Sequence, residues 1–213
     1  MNQKNLWTGT SILVLSLIYA IVRYHLFKGL EWVHFPLYTL NKVLSFGGLT
    51  MLVAAVFFRL RTNSKPDDRS DTLMFSGIVC VLLHVAISLI LISPNVYEGL
   101  YRSEGMFNWL GQLSMFFGVL GLLFMVLFRI LPVLLNDETR HRSLEKIMKS
   151  LPPGFLFFGL HVFFLGFKGW FTPVEWPGGM PPISLLSFLM AAAGLIVALK
   201  LRRYAFENPD QKP

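Results

Sequence analysis

Apolar stretches of about 20 residues recur along the whole chain, and no other feature constrains its fold as strongly. At about 1.5 Å rise per residue, each matches the hydrocarbon thickness of a bilayer. Backbone polar groups in hydrocarbon must be satisfied within the spanning segment, which a helix does. A β-barrel would need alternating segments of about 10 residues, and the sequence has none. The expected fold class is therefore all-α. It is an integral membrane six-helix bundle forming a single domain, with spans at 7–27, 37–58, 73–92, 107–128, 152–170 and 183–199. The connections are too short for a separate soluble domain. Only 15% of residues are charged and mean hydropathy is +0.57, whereas an average soluble domain has about 25% charged residues. A soluble α/β enzyme and a solvated linker are both excluded.

Charge fixes the expected orientation. The net charge of +7 arises from basic residues flanking the apolar segments, which signals membrane topology and not a nucleic-acid partner. Arg59, Arg61, Lys65 and Arg69 lie in the second connection. Arg129, Arg140, Arg142, Lys146 and Lys149 lie in the fourth, and Lys200, Arg202, Arg203 and Lys212 near the C-terminus. The opposite connections hold only Lys28, Arg102 and Lys168 in or beside them. Both termini are expected in the cytoplasm, with Trp32, Trp109, Trp170 and Trp176 as an aromatic belt at the far interface. The first span follows Lys4, is long enough to cross, and lacks an A-x-A cleavage pattern, so it is expected to remain as a helix. Asn63–Ser70, with Pro66, Asp67 and Asp68, reads as a solvated turn. Cys80, the one cysteine, allows no internal disulfide and no two-cysteine relay.

Two of the five histidines fall inside spans. His25, His34 and His141 lie near or in connections and read as interfacial or solvated. His84 and His161 lie mid-span, where an ionisable residue is functional by default. Both of their spans run in the same direction, and counting along them puts the two at roughly 16 and 14 Å depth. Two imidazoles at similar depth can ligate one metal, and imidazole is a common axial ligand of haem iron. A bare zinc or iron ion wants more ligands than the midsection offers, whereas a macrocycle brings four nitrogens of its own. Gly77, Cys80, His84 and Ser88 share one helical stripe, and Gly154 stands two turns before His161, with Gly159 and Gly166 beside it. Such small residues either leave room for a flat ring, making Gly77 and Gly154 cofactor-facing, or let helices pack closely with the histidines hydrogen-bonded between them.

Met74–Ala86, containing His84, resembles the haem-ligand helix of the ferric reductase-like transmembrane family. Leu40–Leu49 is similar to that family's second helix, and Leu144–Gly166, an elbow leading into Leu160 and His161, to its fifth. The likeness covers roughly residues 37–170. The chain also resembles, in size and six-helix plan, the family's bacterial branch of haem subunits of methionine sulfoxide reductase systems. The resemblance implies a b-type haem with His84 and His161 as axial iron ligands, and electron transfer in a bacterial inner (plasma) membrane. Family members commonly carry a further histidine about 13 residues from the first. Here those positions hold Met148, Tyr97 and Asp71, so the expectation is one haem b per chain. Met148 reads as an interfacial anchor and Tyr97 as part of the aromatic belt.

No G-x-G-x-x-G, Walker or H-E-x-x-H pattern occurs, so no nucleotide or flavin domain is visible. Any oxidoreductase role then needs quinol, a diffusible donor or a separate reductase subunit. Asn41, Lys42 and Gln112 are the notable remaining polar positions. Lys42 either snorkels to the far interface or pairs with a haem propionate, and Arg59 and Arg129 are the corresponding residues on the other side. The alternative function is a non-haem small transporter or assembly factor with a buried histidine pair. A transporter would show broken helices or an internal repeat. Only Gly47-Gly48 and Pro152-Pro153 suggest breaks, and the prolines fit a helix start.

Overall fold

A computed structural model describes the backbone of residues 3–62, 67–134 and 137–207 and the side chains of 6–62, 67–127 and 151–204. Lys65, Arg129, Arg140, His141, Arg142, Lys146, Met148, Lys149 and Lys212 lie outside the described side chains. The long helices are α1 (Gln3–Ile21), α2 (Leu40–Arg61), α3 (Asp68–Leu91), α4 (Trp109–Leu134), α5 (Asp137–Gly166) and α6 (Ile183–Glu207). Among the described residues the only β pairing is an isolated bridge between Tyr101 and Phe107. Six segments are long and apolar enough to cross a membrane: Leu6–Phe27, Trp32–Arg61, Asp68–Leu91, Trp109–Leu127, Leu151–Trp170 and Pro177–Tyr204. The chain is an all-α, multi-pass integral membrane protein.

Two local features differ from the sequence expectation. Asp67 caps α3, its carboxylate accepting from the backbone N–H of Arg69 and of Ser70. The helix therefore starts at Asp68, inside the segment expected to be a turn, because an N-cap carboxylate satisfies otherwise orphaned N–H groups. Pro152 and Pro153 lie inside α5 and do not open it. Each removes a backbone donor, an interruption that membrane helices tolerate when neighbours re-satisfy the carbonyls. α2 continues unbroken through Gly47 and Gly48.

The helices form an open ring. α2 packs against α3 and α6, and α5 packs against α6 and α4, giving the order α3–α2–α6–α5–α4. α3 and α4 scarcely touch, which leaves the ring open on one side, and α1 lies outside against α2 and α3. Small residues make the close crossings, as expected where lipid removes any hydrophobic drive between helices. A Cβ on Gly77 would stand 2.9 Å from the Gly48 carbonyl, and one on Gly48 would stand 2.9 Å from the Cys80 Cβ. The solid core lies toward the end where α1 begins and α6 ends, here the basic end. Met51, Leu52, Val56, Leu73, Phe155 and Leu201 are fully enclosed there. Toward the other, far end the ring is hollow.

Candidate functional site

The hollow is a single cavity walled by α2, α3, α4, α5 and α6, and it contains both His84 and His161. It reaches the open side of the ring, because Leu89 of α3 and Val119 of α4 line it while remaining 63% and 62% exposed. The walls are mostly aliphatic. Their polar members include Lys42, Ser45, Ser88, Ser114, Ser184 and Ser187.

Each histidine is held by one ring nitrogen. His84 Nδ1–H donates to Asn41 Oδ1 at 2.7 Å, and Asn41 Nδ2 donates to Ser88 Oγ at 3.0 Å. Asn41 is fully buried. On the other side His161 Nδ1–H donates to the Ser114 carbonyl at 2.8 Å, and the Ser114 hydroxyl donates to the His161 carbonyl at 3.1 Å. Amide and peptide oxygens only accept, so Nδ1 carries the proton in both rings. A neutral imidazole then presents a bare lone pair at Nε2, and neither Nε2 has a hydrogen-bond partner among the described residues. Fixing the tautomer through Nδ1 also raises the basicity of the ligating nitrogen, the usual arrangement for a metal-binding histidine. The histidines do not bond to each other, as close packing across a helix pair would have them do.

The remaining ammonium in the cavity belongs to Lys42. Its Nζ lies 5.1 Å from the Tyr38 ring centroid and 5.4 Å from that of Tyr97. Lys42 therefore does not snorkel out, and Tyr97 is a cavity wall, not a belt residue. Two cation–π contacts are worth about 0.5–2 kcal/mol each, comparable with the translocon-scale cost of about 2.5–3.5 kcal/mol for a charge in the membrane centre. The ammonium faces the rings and makes no hydrogen bond to another described residue, and among the described residues Lys42 has no carboxylate partner.

No protein-family model matches this chain. Nor does any curated protein.

Other expected positions fall elsewhere. Gly77 meets Gly48 and Leu52 of α2, and Gly154 meets Met125 of α4. Neither lines the cavity, and both stand at close helix crossings. The stripe Gly77–Cys80–His84–Ser88 is the seam of α3 against α2, and it reaches the cavity only where the helices separate. The glycine that accommodates a site residue is Gly118, where a Cβ would lie 2.8 Å from His161 Nδ1. α3 begins at Asp68, so His84 lies about 24 Å along the helix from its start. Arg59 sits at the basic end, 3.6 Å from Asp71, away from the cavity. His25 is buried and not solvated. Its ring nitrogens meet the Leu30 carbonyl and Thr39 Oγ1, each at 2.8 Å, which leaves neither for a metal. Trp170 is buried and donates to Ser184 Oγ at 3.0 Å, closing α5 onto α6 instead of joining the belt.

Sequence reading missed Ser114, Gly118 and the buried Arg23, which bonds to the Met180 carbonyl in the connection before α6. Arg23 carried a signal, as a charge inside a span. Ser114 and Gly118 lie four residues apart on α4, a weak pattern without knowledge of what faces them.

Proposed function

We propose that this chain is a membrane electron-transfer subunit of ferric reductase-like type, holding one b-type haem through His84 and His161. The observation that carries the reading is the pair of histidines in one cavity, each tied by Nδ1 and bare at Nε2. The donor set fits the group: among the described residues no cluster of three His, Cys, Asp or Glu side chains could hold a bare metal ion. A macrocycle asks the protein for two axial nitrogens, which is the number on offer. When bound, such a group supplies a one-electron iron couple.

The chain's own residues orient and insulate. Asn41 and the Ser114 carbonyl set the two imidazole tautomers, and Gly118 leaves His161 its place. The aliphatic walls keep water from the centre, which tunes both potential and ligand basicity. Electrons come from quinol or a separate reductase subunit, in a bacterial inner membrane. The resemblance to the ferric reductase-like family supports this assignment.

The test is a visible spectrum of the purified chain supplied with haem. The expected result is a low-spin six-coordinate haem, and in His84→Ala or His161→Ala a high-spin spectrum or none. Replacing His25, His34 or His141 leaves it intact. A folded, inserted protein that never shows a haem band would retire the reading in favour of a small transporter or assembly factor. Pyridine haemochrome analysis is expected to give one haem per polypeptide. Two would return His25, His34, His141, Met148 or Tyr97 to consideration as ligands.

A further inference from the structure

We propose that Lys42, held between Tyr38 and Tyr97, is the receptor for a carboxylate carried by the cavity's occupant. Lys42 lines the same cavity as the two histidines. Its ammonium lies over two aromatic rings that hold a cation in place without neutralising it. The acidic side chain of Asp71 pairs with Arg59, at the opposite end of α2. An ammonium kept at membrane depth with three N–H donors and no acceptor is set for an anionic ligand. The neighbouring residue strengthens the argument. Asn41 fixes His84, so consecutive positions on α2 serve the metal ligand and the charge.

One carboxylate chemistry has two sources here. A haem propionate is the first, and that version rests on the function proposed above. The second is the head of a fatty acid whose tail lies in the opening between α3 and α4, where Leu89 and Val119 are exposed.

The experiment uses the full chain in a non-ionic detergent, titrated with haem b and with haem b dimethyl ester, whose propionates are masked. Wild type is expected to bind the free acid about tenfold or more tightly than the ester. Lys42→Met is expected to bind both alike while keeping the low-spin spectrum, and Lys42→Arg to restore part of the preference. Equal binding of acid and ester by wild type overturns the propionate assignment and leaves the histidine-ligated haem standing. If wild type binds neither form, the haem reading fails, and oleate becomes the probe, followed by displacement of a fluorescent fatty acid. Oleate binding that is lost in Lys42→Met supports the carboxylate receptor with a lipid source. Oleate binding that is absent from wild type, or unchanged in Lys42→Met, overturns the proposal. The wild-type comparison of the two ligands stands even where a variant fails to fold.

Discussion

At the level of single residues, the two histidines look alike but are held differently, and the difference is testable. His84 depends on a side chain, the Asn41 amide, whereas His161 depends on the peptide carbonyl of Ser114. Asn41→Ala removes the acceptor outright and leaves a buried N–H unpaired, at a cost of about 1–3 kcal/mol. Haem affinity is expected to fall about 10–100-fold, the usual penalty for losing a partner behind a metal ligand. Ser114→Ala keeps the carbonyl and removes only the hydroxyl, so its effect is expected to stay below about threefold, near the 0.6 kcal/mol average for polar pairs between membrane helices. Haem titration of the two variants checks this, and equal effects would mean that the carbonyl bond is not what holds His161. The sequence marks His84 and His161 because a titratable group stands out in an apolar run. It does not mark Ser114, because a serine is unremarkable in a membrane helix and its role here falls largely to its backbone.

Individual helices were read more reliably for their extent than for their facing. Long apolar runs placed the six apolar segments to within about six residues, because hydrocarbon thickness sets a length that composition records, whereas α5 begins at Asp137, well before its apolar part. What each helix presents to its neighbours depends on the ring order, which periodicity does not contain. Small residues illustrate this. Gly77 and Gly118 are both glycines within two turns of a site residue in sequence or space, yet one sits in the α2–α3 seam and the other beneath His161. Their alanine variants are expected to fail in different ways. Gly77→Ala drives a Cβ to 2.9 Å from the Gly48 carbonyl and from Leu52, so it should lower thermal stability and yield while the haem that is bound keeps its low-spin spectrum. Gly118→Ala places a Cβ 2.8 Å from His161 Nδ1 and 3.2 Å from Cε1, and should displace the ring. The expected signature is a mixed or high-spin spectrum at near-normal stability. Melting curves and spectra recorded on the same samples separate the two, and a pure stability defect in Gly118→Ala would remove α4 from the site.

For the molecule as a whole, packing and charge divide the bundle into two halves. The dense core, Arg59, Arg61, Arg69 and the start of α3 occupy one end, and the cavity, Lys42, Tyr97 and the Trp-bearing connections the other. Lys and Arg in short loops stay with the cytoplasm. Reporter fusions at Lys65, His141 and Lys212 are therefore expected to read cytoplasmic, and fusions at Tyr101 and Trp176 external. The consequence reaches beyond orientation. Asn41, Lys42 and Ser114 all lie within about two turns of the starts of α2 and α4, so the cavity lies toward the far end of the bundle, the external one in the expected orientation. An occupant there is separated from the basic end by the closed core and faces the gap between α3 and α4. Under the proposed function and the expected orientation, electron exchange would be with a partner in the membrane or at the external face. An external reading at His141 would invert this and turn the cavity toward the cytoplasm. The fold would be unchanged, but the donor or acceptor would have to be sought on the opposite side.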